Sequence, residues 1–318
     1  MSGNQPNTNQ QINPSVLITG GSGLIGRYLT SALLSEGYKV SHLSRRTVQS
    51  GKVMAFRWDP ENNILDPSVF EGVDYVIHLA GANIGERRWT LKRKDEILSS
   101  RVDSAKLLHN VIINNGIRIK AFISASATGY YGSITSDKIY NENDMPATDF
   151  LGTTCRKWEE AADLFGNEGI RTVKIRTAVV LEKNDSALSK LMKPAGVGVL
   201  VKMGRGSQYM PWIHIQDLCN IYLKAVKDTE MEGAFNAVSP QHVTNKFFMQ
   251  TLAEVMKRPL FPLPVPALVL KSILGEMAVV ILQGSRISSK KISNSGYAFL
   301  FGNLEKALEN VINEQVIL

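Results

Sequence analysis

Four glycines, Gly20, Gly21, Gly23 and Gly26, stand between an apolar run, Val16-Leu17-Ile18, and a segment in which Leu24, Ile25, Tyr28, Leu29, Ala32 and Leu33 recur at helical spacing. Glycines spaced in this way have separable jobs: one makes a tight turn, the next lets a diphosphate approach the backbone, and the third packs helix against strand. The start of the helix then offers its free N–H groups to the anion. Two registers fit, Gly21-x-Gly23-x-x-Gly26 and Gly20-x-x-Gly23-x-x-Gly26, and either one holds a dinucleotide. The expected contacts are Gly20, Gly23, Leu24, Ile25 and Gly26. A strand before the pattern and a helix after it are what separate a nucleotide site from an ordinary glycine-rich turn.

A second group of residues bears on which dinucleotide. The segment Tyr38 to Leu43 reads as a strand and ends in Ser44-Arg45-Arg46, about 20 residues past the glycines, where a chain selecting NAD places Asp or Glu for the ribose hydroxyl. A hydroxyl and two guanidiniums suit the extra phosphate of NADP instead, so NADP is the expected cofactor. The competing reading is a solvated loop with two surface arginines. Trp58 and Asp59, at the end of a third strand, either flank an adenine ring or simply close that strand. A third group is rich in hydroxyls: Ser126, Thr128, Tyr130 and Tyr131 follow the apolar strand that begins near Ile119. Ligands of open α/β sheets bind outside the carboxyl ends of the strands, which makes Ser126, Tyr130 and Tyr131 candidates for catalysis. His78 sits inside an apolar run and reads as a core histidine. His214, three residues before Asp217, is either a base or an organiser of a helix start.

The elements that must position these groups alternate strand and helix as far as Arg176. That order argues for an α/β protein with a doubly wound parallel sheet. Past Leu181 the pattern loosens, and glycines and prolines punctuate a cap-like segment followed by a mainly helical final third. The expected organisation is an N-terminal extension over 1–14, disordered by its polar composition, then a dinucleotide-binding domain over 15–182 plus about 214–240. A smaller substrate or cap domain takes 183–213 and 241–318. The extension lacks the apolar core of a secretory signal. With 44% hydrophobic and 20% charged residues the 318-residue chain has the composition of a soluble globular protein. Its two cysteines, Cys155 and Cys219, are far apart and lack any Cys-x-x-Cys spacing, so neither a disulfide framework nor a metal site is indicated and a cytoplasmic location is the default. The net charge of +7 is scattered rather than gathered into a basic tract interleaved with aromatics, which points to anionic small molecules rather than nucleic acid. The apolar stretch from Pro262 to Leu282 is broken by prolines, Lys271 and Glu276, and falls short of a membrane span.

With these residues in view, the chain resembles the extended short-chain dehydrogenase/reductase superfamily, whose nucleotide-binding part is a Rossmann fold. The matching pieces are Thr19 to Gly26, His78-Leu79-Ala80-Gly81-Ala82, the serines before Tyr131-Gly132, Ile175-Arg176-Thr177 and Ile213-His214-Ile215-Gln216-Asp217. More narrowly it is similar to NAD(P)-dependent epimerase/dehydratase-like proteins with an uncharacterised C-terminal domain. The resemblance implies cofactor contacts from Leu79, Ala80, Gly81 and Ala125, and pairing of two copies through helices beside the site. It also implies a Tyr-x-x-x-Lys pair on the helix before the sixth strand, the tyrosine as acid/base and the lysine lowering its pKa. In that alignment Leu151 stands at the tyrosine position and Cys155 at the lysine position, and neither can do the job. The expected function is therefore an NADP-dependent oxidoreductase or epimerase of non-standard site, acting on a small polar carbonyl or sugar-like substrate, with a non-enzymatic NADP sensor as the alternative.

Overall fold

A computed structural model describes residues 13–45, 49–50 and 53–313. Arg46 and nearly all of the N-terminal extension lie outside the described residues. The first strand, β1 (Ser15–Thr19), leads through the glycine turn into α1 (Leu24–Ser35). Then come β2 (Lys39–Ser44), β3 (Val53–Asp59), β4 (Tyr75–His78), α2 (Leu91–Asn114), β5 (Ala121–Ala127), α3 (Phe150–Asn167) and β6 (Arg171–Thr177). After an excursion the chain returns through α4 (Ile215–Lys227) to β7 (Gly233–Ala237). The sheet order is β7-β6-β5-β4-β1-β2-β3, parallel throughout, with the short strand Gln49–Ser50 added antiparallel on β3. Because β1 pairs with β2 on one side and β4 on the other, the winding reverses there and opens a crevice at the carboxyl ends of these two strands.

Burial on both faces explains why the strands are apolar runs rather than alternating ones. Val16, Leu17 and Ile18 have no exposed surface. One face packs against Leu29 and Leu33 of α1 and Leu218, Ile221 and Tyr222 of α4. The other packs against Leu107, Leu108 and Ile112 of α2 and Ala162 and Phe165 of α3. Helix α3 extends at both ends beyond the stretch from Thr153 to Phe165 along which Trp158, Ala161, Ala162 and Phe165 fall on one buried stripe. The Asp149 carboxylate accepts from Gly152 N at 2.8 Å and starts it earlier, while Gly166 lies inside it and the chain reverses only at Gly169, φ +77°.

A third core belongs to the C-terminal lobe, where Leu181, Leu188, Leu200 and Trp212 meet Phe248 and Leu252 of α5 (Asn245–Val255) and Leu304 and Leu308 of α6 (Leu304–Asn313). The segment expected to be loop-rich contains a helix, Ala187–Met192, capped by Ser186, and a strand, Leu200–Met203. That strand pairs in parallel with Leu260–Val265, whose Pro262 and Pro264 keep it extended. Asp217 fixes the final segment to α4: fully buried, it accepts from Tyr297 Oη at 2.7 Å, Leu300 N at 2.8 Å and Phe301 N at 2.9 Å. Among the described residues no helix is long and apolar enough to cross a membrane.

Candidate dinucleotide site

The glycine turn sits at the crevice, and close contacts hold three of its four glycines, Gly20, Gly21 and Gly26, to that residue type. Gly20 has φ +71°, and a Cβ there would stand 3.0 Å from Ala80 N. A Cβ on Gly21 would strike the His42 ring, and one on Gly26 would lie 2.5 Å from Gly20 O. Gly23 N donates to Gly20 O at 3.0 Å and closes the turn. The two registers read from sequence are therefore one structure using all four positions. Helix α1, which follows, has no side-chain cap and no acid in its first turn. Helices α2 and α3 are capped by Thr90 and Asp149. The amides at the start of α1 thus present the positive end of a helix dipole to the crevice, ready for a diphosphate.

The far wall of the crevice hangs on Thr19. Its Oγ1 accepts from Leu79 N and Ala80 N, both at 3.1 Å, and lies 2.8 Å from His78 Nδ1. His78 Nε2 lies 3.2 Å from Ser104 Oγ, which donates to Ser100 O at 2.7 Å. These directions make His78 a neutral imidazole with its proton on Nε2. Burial pushes its pKa down to about 4. It is a core histidine joining β1, β4 and α2, and through Thr19 it places Leu79 and Ala80.

At the other end of the crevice, Ser44 and an exposed Arg45 stand at the tip of β2. The β2–β3 register sets Arg57, also exposed, alongside Ser44. Arg57 adds a cation that the sequence pattern hid, since it sits inside a strand-like run and only the pairing register brings it to Ser44. Trp58 does not join them. It is 3% exposed in the core with Leu65, Val69 and Phe70, and has no free face for an adenine ring, because alternation along β3 turns it inward where Arg57 turns out.

The candidate hydroxyls divide sharply. Ser126, 2% exposed, donates to Glu159 Oε1 at 2.7 Å. Glu159 in turn holds Arg176 by two bonds of 2.8 Å. Tyr131, also 2% exposed, donates to Asn236 Oδ1 at 2.7 Å and accepts from Arg176 Nη1 at 2.9 Å, and burial pushes its pKa up to about 12. Ser126 and Tyr131 are thus committed to a buried network whose hub, Glu159 with Arg176, had not been expected from sequence to touch them. Tyr130 is half-buried at the strand end, with its ring 3.5 Å from the Arg176 guanidinium carbon. Its pKa is raised, by burial first, with Arg176 working in the opposite sense. Ala125, 8% exposed, lines the same strand end.

Leu151 and Cys155, which the resemblance sets at the positions of the catalytic pair, lie against the turn after β5. A Cβ on Gly129 would stand 3.4 Å from Leu151 Cβ and 3.6 Å from Cys155 Sγ. Burial lifts the Cys155 thiol to about 12, which leaves it protonated and unreactive. His214 is an organiser: its Nδ1 accepts from Gln216 N at 3.2 Å to cap α4, its ring rests 3.9 Å from that of Phe301, and burial lowers its pKa to about 4. No group of three or more metal-ligating side chains occurs among the described residues.

An open parallel sheet with an uncapped, glycine-cradled helix start at its switch point defines a dinucleotide-binding protein of the extended short-chain dehydrogenase/reductase fold. The chain belongs to the NAD dependent epimerase/dehydratase family, whose pattern matches residues 16–237, and a domain of unknown function, DUF1731, matches 265–311. It is 34% identical over 302 residues to the mouse epimerase family protein SDR39U1, covering 93% of this chain and 99% of that one. To the epimerase family protein YfhF of Bacillus subtilis it is 33% identical over 303 residues, covering 95% and 99%. The crystal structure of human SDR39U1 (isoform 2) with NADPH superimposes with a TM-score of 0.84 at 30% identity, covering 94% of this chain and 99% of that one.

Proposed function

We propose that the protein is an NADP(H)-dependent oxidoreductase or epimerase acting on a small, polar, anionic carbonyl or sugar-like substrate, with Tyr130 as its proton-handling hydroxyl. The observation that carries this reading is the crevice itself. An uncapped α1 faces Ala80 across the glycine turn, and a cationic edge of Arg45 and Arg57 flanks Ser44 at the end where the adenosine phosphate of NADP would lie. The NADPH in the human relative supports the same choice of cofactor. When bound, the nicotinamide would supply the hydride, and the protein would orient the substrate over it. Among the three hydroxyls, Tyr130 alone retains surface at the strand edge while being held from below by Arg176. Calorimetry with NADPH and NADH, followed by NADPH oxidation across a broad carbonyl panel, tests the reading. Preference for NADPH and turnover that falls in Tyr130→Phe are the expected results. A homodimer belongs to the same proposal, through the groove between α2 and α3, where Leu98, Val102 and Leu164 sit among Asp103, Lys106 and Lys157; light scattering checks it.

A specific observation favours a second reading. With Leu151 and Cys155 against Gly129 and with Ser126 and Tyr131 turned inward, the usual acid/base pair is missing, which suits a protein that senses NADP(H) without reducing anything. Firm NADPH binding with no turnover on the whole panel would select it.

A further inference from the structure

The stretch from Pro262 to Leu282, too broken by prolines and charge to cross a membrane, is not gathered into a core either. Of the fourteen large apolar side chains that stand exposed among the described residues, six fall within twenty positions: Phe261, Leu263, Leu268, Val269, Ile273 and Val280. Scattered singly such residues are ordinary, but gathered they mark a surface that something covers. The strand Leu260–Val265 is exposed at each position from 261 to 264, and the helix Ala267–Leu274 that follows it has a single buried residue, Leu270. Leu268, two positions earlier and so on the opposite side of the helix, is 79% exposed. The far end of this arm is tied to the loop and first turn of α2, where Arg88 donates to Ser272 O and Lys94 pairs with Glu276. The apolar face is therefore held out from the body.

Charge and backbone together indicate what covers it. No acid occurs between Glu254 and Glu276, whereas Lys257, Arg258 and Lys271 lie between them and are all exposed. Glu276 is itself neutralised by Lys94. An apolar ridge rimmed by cations complements a layer of anionic headgroups over hydrocarbon: the leucines enter, and the lysine stems follow them while their ammonium groups stay at the phosphates. The backbone suits the same surroundings. Pro262, Pro264 and Pro266 remove three N–H groups that entry into such a layer would otherwise strip of water. The strand pairs on one side with Leu200–Met203, and prolines along it resist pairing with a strand from another copy.

We propose that this face of the C-terminal lobe, from Phe261 to Val280, docks on an anionic lipid surface, with Leu263, Leu268 and Ile273 among the headgroups and Lys271 against their phosphates. The proposal goes beyond the NADP(H) reading and stands independently of it. Co-sedimentation tests it with vesicles of phosphatidylcholine alone and of phosphatidylcholine with about one third phosphatidylglycerol. The unaltered protein should bind the anionic vesicles about tenfold or more tightly than the neutral ones, and added salt should release it. Leu268→Asp combined with Ile273→Asp should weaken binding by about a hundredfold, and Lys271→Gln by about fivefold. These three positions are exposed, so melting temperatures should stay unchanged and show that the variants are folded. Failure to sediment with anionic vesicles, equal binding to both kinds, or undiminished binding in the double variant overturns the proposal. So does a dimer, seen by light scattering without vesicles, that the double variant takes apart, because a second copy would then be the occupant.

Discussion

Mild acid should destabilise this protein through two buried histidines, and the size of the effect follows from how far burial lowers their pKa values. Thr19 Oγ1 already accepts from two amides, so its proton goes to His78 Nδ1; Ser104 Oγ gives its proton to Ser100 O and receives the one on Nε2. A second proton on the ring would confront a hydroxyl with no lone pair to spare. Burial above all sets the folded pKa of His78 at about 4 against an ordinary 6.5, and lowers His214 to the same value. Between these two pH values the unfolded chain takes up protons that the folded chain refuses, so stability is complete above about pH 7 and declines as pH falls through this window. At pH 5 each histidine removes about 2 kcal/mol, and the pair about 4 kcal/mol, out of the 5–15 kcal/mol typical of a folded domain. Urea titrations at constant ionic strength from about pH 7.5 to 5 measure this, in a range where carboxylates contribute little. His78→Gln and His214→Gln, though less stable overall, should each flatten the pH dependence by about half. A flat profile in the unaltered protein, or variants whose slope equals that of the unaltered protein, would refute the reasoning.

The other expectations concern the crevice and the network beneath it. Arg45→Ala should weaken NADP by about tenfold while leaving NAD unaffected, by calorimetry with both coenzymes. Gly20→Ala should cost about 1–2 kcal/mol for its left-handed backbone alone, and more from the contact with Ala80 N, so coenzyme affinity and melting temperature fall together. Glu159→Gln strips the buried Arg176 of its counter-charge and should lose about 3–5 kcal/mol in urea unfolding, with Ser126→Ala losing far less.

The fold was legible because its signals are local. The glycine turn, the apolar strands and the stops at Gly37 and Gly116 each follow from a few adjacent residues, and both of those glycines adopt positive φ where the chain turns. In the candidate site only the glycine turn rests on such local signals. Arg57 and Ser44 are thirteen positions apart and meet through strand register, while Ser126, Glu159 and Arg176 come from β5, α3 and β6 and meet through packing. Nothing in the spacing of Glu159 and Arg176 distinguishes a buried ion pair from two surface charges. Trp58 failed as a cofactor contact for a related reason: an aromatic at a strand end reads alike whether it faces a ligand or the core, and only alternation from a known register decides.

The buried network also bears on what chemistry the strand edge can perform. An acid/base tyrosine helped by a lysine has its pKa lowered and serves in either direction. Tyr130 has no lysine, and although its ring lies on Arg176, burial outweighs that cation and keeps the phenol protonated near neutral pH. Arg176 cannot swing out to help further, because two bonds to Glu159 and one to Tyr131 fix it in place. A phenol held in this way can give a proton to a carbonyl oxygen as hydride arrives, but it is a poor base for removing one from an alcohol. Under the proposed function, reduction with NADPH is therefore the direction the geometry favours. Carbonyl reduction should outpace alcohol oxidation at neutral pH, and both should be lost in Tyr130→Phe, because the phenol that gives its proton in one direction is the phenolate that takes one in the other.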